Sequence, residues 1–164
     1  MKRRSLLLSL AATSLLWGCG GETRLDFGKV EGAQPVPPVG RARLFFYRDA
    51  SPYEGTQIRE IFLNGQKIGM SYPNGVIYRD VPAGQYEITA YTQELYPNQF
   101  KTVLLRPQEI HYVKIESIKG WGEATSSDPI PRETWVVTLI DPAVGSRAIR
   151  PLWFYGGGLW TPGQ

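Results

Sequence analysis

From Arg41 to Pro142 the chain is built of short runs of β-branched and aromatic residues, broken by Gly, Pro and Asn at intervals of roughly 8 to 15 residues. Runs of that length are too short for helices and are punctuated as strands are, which leaves a sandwich or a barrel. Strands are expected at 42–48, 57–63, 66–70, 76–81, 84–93, 100–106, 109–117 and 133–140, with a helical turn near 142–147. The fold class is therefore all-β: an antiparallel two-sheet sandwich of about seven or eight strands with little helix.

Two connections are specified by their chemistry. Asn64-Gly65 separates Ile61-Phe62-Leu63 from Lys67-Ile68, and both residues tolerate the positive φ that a two-residue hairpin demands. Pro82-Ala83-Gly84 places a fixed φ and then a permissive residue between Val81 and Tyr86. Alternation assigns faces: Tyr86, Ile88 and Ala90 oppose Glu87, Thr89 and Tyr91, and His111, Val113 and Ile115 oppose Tyr112, Lys114 and Glu116. The first set of each pair is expected to face the core.

The stretch Asp80-Val81-Pro82-Ala83-Gly84-Gln85-Tyr86-Glu87-Ile88-Thr89-Ala90 resembles the corner of transthyretin-like and carboxypeptidase-regulatory-like sandwiches. Together with residues 42–47, Leu63-Asn64-Gly65-Gln66-Lys67-Ile68-Gly69 and Ile110-His111-Tyr112-Val113, it looks like a family of small bacterial envelope lipoproteins known as a domain of unknown function. The likeness covers residues 41–117 and implies a transthyretin-like or immunoglobulin-like sandwich. It implies nothing about activity, because such folds host many functions.

The ends of the chain read differently. Residues 1–18 form a basic start (Lys2, Arg3, Arg4), a twelve-residue mostly apolar run from Leu6 to Trp17, and Gly18 before Cys19. A membrane-spanning helix needs about 20 apolar residues, so this is a secretory signal peptide. Leu16-Trp17-Gly18-Cys19 resembles a lipoprotein box, although Trp17 stands where that box carries a small residue. Cys19 is then the lipidation site, a diacylglyceryl cysteine further acylated with a palmitate-type chain. Burial of acyl chains at about 0.8 kcal/mol per CH₂ makes such an anchor durable. Residues 19–40 carry five glycines and three prolines and read as a flexible tether, roughly 25 Å end to end. Gly20 is not the aspartate that resembles an inner-membrane retention signal, so the expected location is the outer membrane with the domain in the periplasm.

The sandwich is expected over 41–149 and a Gly/aromatic carboxyl-terminal tail over 150–164. That tail sets Trp153, Phe154, Tyr155 and Trp160 around Gly156-Gly157-Gly158. Three successive glycines argue against a helix or the interior of an ordinary strand. The preferred expectation is that its aromatics pack on the sandwich; a partner-binding or membrane-interface tail and simple disorder are the alternatives.

Charge and chemistry exclude more than they assign. Lys2, Arg3 and Arg4 account for the whole excess of 18 basic over 15 acidic side chains, so the processed chain is neutral and no nucleic-acid partner is expected. His111 is the single histidine, Cys19 the single cysteine, and no Gly-x-Ser-x-Gly elbow exists. No catalytic residue, metal site or cofactor is therefore expected, and His111 reads as a satisfied, partly buried side chain. Asp80, Glu87, Glu94 and Glu109 are the carboxylates that a two-carboxylate hydrolase would have to bring together. Aromatic residues carry the binding expectation: Tyr47, Tyr78, Tyr91 and Tyr112 as an outer stripe, with Trp153, Tyr155 and Trp160 of the tail. In descending order, the functions expected are a non-enzymatic envelope lipoprotein binding a protein or glycan, an accessory or assembly subunit of an envelope or secretion machine, and a hydrolase on a sandwich scaffold.

Overall fold

The computed structural model describes residues 25–49, 56–90, 99–119 and 133–163. In chain order these form β1 (Leu25–Asp26), α1 (Phe27–Val30), a 3-10 turn (Glu31–Ala33), β2 (Arg41–Arg48), β3 (Arg59–Leu63), β4 (Gln66–Ser71), β5 (Gly75–Pro82), β6 (Gly84–Ala90), β7 (Phe100–Leu105), β8 (Ile110–Lys119), β9 (Glu133–Ile140), α2 (Pro142–Ala148) and β10 (Trp153–Leu159). A six-stranded sheet runs β1-β10-β5-β2-β8-β9 and packs on a four-stranded sheet, β4-β3-β6-β7. The sandwich is mixed rather than purely antiparallel: β2 pairs with β8, and β10 with β5, in parallel. Strand propensity and alternation are the same for either direction, so direction is written in the connections.

Asn64 and Gly65 take φ of 48° and 75°, and Leu63 faces Gln66 across the hairpin. Both positive angles are those that a twisted two-residue hairpin needs. Pro82-Ala83-Gly84 instead carries the chain from the six-stranded sheet to the four-stranded one. Tyr86 closes this corner, its hydroxyl donating to Pro82 O at 2.9 Å, while Ala83 N–H donates to Gly40 O at 3.0 Å. The geometry is that of a tyrosine corner, which fixes a crossing between sheets.

Between the sheets lies the main core. Ala42, Leu44 and Phe46 meet Ile61, Leu63, Tyr86, Ile88, Ala90, Val113, Ile115, Trp135 and Val137 there, as the alternation requires. The opposite face of the six-stranded sheet is not solvent. Phe45, Tyr47, Val76, Tyr78 and Tyr112 form a second core with Phe27, Ile149 and Leu152. Arg41-Ala-Arg-Leu-Phe-Phe-Tyr-Arg48 already carries large apolar groups on both faces, the mark of a strand covered on both sides.

Residues 25–33 and 148–154, which flank the sandwich strands in sequence, build that second layer. Residues 19–40 are a tether on composition, yet Leu25–Ala33 is docked. Phe27 is 1% exposed, with its ring edge-on to Phe45 at 5.3 Å and to Phe154 at 5.6 Å. Phe27 N–H donates to Leu152 O at 2.7 Å and Gly28 N–H to Arg150 O at 2.9 Å. Composition averages over a segment; one ring entering an apolar site suffices to hold it.

The glycine run corrects a second expectation. Residues 153–159 are a strand rather than a tail, and Gly157 is why it fits: a Cβ there would sit 2.0 Å from the Tyr78 ring. Register shifts between Phe154 and Gly157, so this is a bulged strand. Its aromatics do pack on the sandwich. Tyr155 stacks on Tyr72 with centroids 4.1 Å apart, and Trp160 meets Tyr86 at 6.2 Å. Gly145 of α2 similarly admits the Tyr112 ring, which a Cβ would approach to 2.3 Å. Asp141 caps α2, accepting from Ala143 N–H at 2.9 Å, and Pro142 opens it.

Phe27→Ala is predicted to lower stability by about 3–5 kcal/mol, the cost of emptying a buried aromatic site. Chemical denaturation followed by circular dichroism checks this, and an unchanged midpoint would place Phe27 outside the folded body.

Candidate recognition site at the Arg48 end of the sandwich

The structure brings three of the four stripe tyrosines together and then covers them. Tyr47, Tyr78 and Tyr112 share the outer face of the six-stranded sheet, but each is less than a tenth exposed beneath the layer of Phe27, Ile149, Leu152 and Phe154. Burial, then the neighbouring Asp49 carboxylate, raises the Tyr47 phenol pKa; burial and then Glu31 do the same at Tyr112. Trp153 and Tyr155 are half-buried on β10, and Trp160 is buried in the main core. Cys19 and Tyr91 lie outside the described residues. Tyr47, Tyr78 and Tyr112 are thus packing rather than an exposed platform.

The chemistry-bearing side chains have separate partners. Asp80 accepts two hydrogen bonds from Arg43, at 2.7 and 2.8 Å. Glu109 accepts from Arg106 N–H at 2.9 Å and lies 3.1 Å from His111 Nε2. The Arg106 amide first, then His111, hold the Glu109 carboxyl below its usual range. Glu87 is exposed on the four-stranded sheet, and Glu94 lies outside the described residues. Lys114 bonds Asp49 and Glu116 at 2.8 and 2.7 Å. Burial opposes its charge, but those two hydrogen bonds outweigh it and hold the ammonium above its ordinary range. Among the described residues, no three His, Cys, Asp or Glu side chains are grouped as a metal site.

A different cluster lies where the main core reaches one end of the sandwich. Arg48 continues the inward parity of Ala42, Leu44 and Phe46, and is 1% exposed. Its guanidinium carbon lies 4.3 Å from the centroid of the Trp135 ring, and Nη1 donates to Gln57 O at 2.7 Å. Arg59, on the inward parity of Ile61 and Leu63, places its guanidinium 5.5 Å from the same ring and also bonds the Gln57 side chain. Ser71 stands directly across the β3–β4 pair from Arg59.

Trp135 Nε1 and Ser71 Oγ, both buried in this cluster, have no hydrogen-bond partner among the described residues. An indole N–H is a donor only, and a buried donor without an acceptor costs about 1–3 kcal/mol. The end therefore combines two guanidiniums, an indole N–H and a hydroxyl. Guanidinium stays protonated throughout the physiological range, so these groups are suited to holding an acceptor-bearing ligand and not to moving protons. Sequence reasoning passed over Arg48, Arg59, Ser71 and Trp135. The signal was available as arginine at core parity in two strands, a placement that requires a local partner.

Residues 38–130, more than half of the chain, match the family model described as "Protein of unknown function (DUF2846)". The match runs from just before β2 to beyond β8. No curated protein and no solved structure matches the chain.

Ser71→Ala is predicted to leave stability unchanged or raise it by about 1 kcal/mol, since it removes a buried hydroxyl that has no partner. Urea unfolding measures this, and a loss of several kcal/mol would mean that the hydroxyl is engaged.

Proposed function

The chain belongs to the DUF2846 family, whose function is unknown, and from that premise we propose that it is a lipid-anchored envelope protein with a non-enzymatic interaction domain. The anchor is supported by the order of Lys2-Arg3-Arg4, the apolar run 6–17 and Gly18-Cys19, which is the order of an exported lipoprotein. Gly20 after the acylated cysteine favours the outer membrane, with the domain in the periplasm. The transthyretin-like subtype belongs to this proposal and is supported by the Tyr86 to Pro82 corner.

One observation carries the interaction reading: the Arg48, Arg59, Trp135 and Ser71 end, where donors gather around an indole and the Trp135 N–H and Ser71 hydroxyl lack acceptors among the described residues. Arg48 and Trp135 are each 1% exposed and Ser71 4%, so they back the site, and half-buried Arg59 is the group offered to carboxylate, phosphate, carbonyl or hydroxyl oxygen on an envelope protein or glycan.

The test has two readouts on one set of cells. Metabolic labelling with a fatty-acid analogue is predicted to mark the wild type and not Cys19→Ser; equal labelling contradicts the anchor. Cross-linked capture from solubilised envelopes is predicted to yield a stoichiometric partner with the wild type and markedly less with Arg59→Gln. Equal capture by both contradicts recognition at this end.

A further inference from the structure

The described body begins at Leu25, which pairs with Phe154 of β10 at the outer edge of the six-stranded sheet. Five residues separate it from Cys19, so the sulfur-bearing residue lies within about 20 Å of Leu25 even at full extension. The opposite edge, β9, is five strand spacings from β1, about 24 Å. A tether of 21 residues would leave the domain free to turn any face to the membrane; this short one does not.

The β1–β10 edge is also the one whose chemistry suits lipid. Residues 151–164 contain no charged side chain; Trp160 is enclosed in the main core, while Trp153 and Tyr155 stay half-buried on β10 and are of the types that favour bilayer interfaces. Leu25 is 43% exposed and Leu159 65%. Space is open where Cβ atoms would stand at Gly156 and Gly158, and from Tyr155 to Leu159 no other described strand pairs on the outer side of β10. The helix-covered face of the sheet bears Lys29, Glu31 and Arg150 at its surface, and the one charged side chain of β1, Asp26, is paired with Lys29 at 3.1 Å.

We propose that the β1–β10 edge, with Leu25 and Leu159 foremost, is the surface that this domain lays against the lipid bilayer. It rests on acylation at Cys19 and adds an orientation: the six-stranded sheet stands on edge, with β9 farthest from the lipid. Apolar burial of Leu25 and Leu159 supplements the acyl chains, while Asp26 of β1 and the open backbone edge of β10 confine the contact to the polar headgroup layer.

The test uses the full acylated protein in vesicles of phosphatidylethanolamine and phosphatidylglycerol that carry a nitroxide-headgroup lipid. Leu159→Cys and Leu139→Cys, both at exposed positions, are labelled with a thiol-reactive fluorophore; the Cys19 sulfur is consumed by its thioether, so the introduced thiol alone reacts. Severalfold stronger quenching at position 159 than at 139 is expected. Equal quenching, or stronger quenching at 139, on protein that floats with the vesicles overturns the orientation and leaves the anchor standing. Protein that does not float overturns the anchor, and the orientation with it.

Discussion

Inside the second core, where charge is costly, Arg43 gives two parallel hydrogen bonds to Asp80, and both side chains are almost fully buried. The pair ties β2 to β5 across their register, in which Arg43 faces Asp80. The Arg43 guanidinium also lies 3.9 Å from the Tyr78 ring centroid, so its flat face is covered by an aromatic one. Neither charge could stay there alone, since breaking a buried pair costs about 3–5 kcal/mol. Asp80 serves the neighbouring strand as well: its backbone oxygen accepts from Trp160 N–H at 3.0 Å and from Arg41 Nη1 at 2.9 Å. Arg41 Nη1 also reaches Trp160 O at 2.7 Å. The end of β10, the outer aromatic layer and the central strands thus meet at one residue.

From that point the double-layered architecture follows. Tyr78 can lie flat along β10 because residue 157 has no side chain, and Tyr112 can reach α2 because residue 145 has none. Phe27 then fills the gap between Phe45 and Phe154. Residues 25–33 and 148–159 are therefore walls of the same body as the sandwich.

Much of the sandwich was legible because it is local. Asn64-Gly65 named its own hairpin, and Tyr86, Ile88, Val113 and Ile115 were assigned inward by alternation alone. Most of what escaped has a common cause, since partners distant in sequence decide it. Gly157 looks like a strand breaker until Tyr78 is beside it, and Phe27 looks like one apolar residue in a Gly/Pro stretch until Phe45 and Phe154 surround it. Tyr47, Tyr78 and Tyr112 share one face, yet whether that face meets water depends on segments more than thirty residues away in sequence, such as Ile149 and Leu152. The Arg48 end escaped for a different reason: arginines scattered over two strands carry no motif, and their convergence on Trp135 exists only in three dimensions.

Native-state hydrogen exchange resolved at the Phe27 and Gly28 amides tests most directly whether the terminal segments belong to the folded body. Both amides donate to the chain just before β10, at Leu152 O and Arg150 O. The account predicts that they exchange on the timescale of the central β2 amides, through the same cooperative opening. Exchange as fast as in an unstructured peptide, with β2 still protected, would contradict it and return residues 25–33 to a tether.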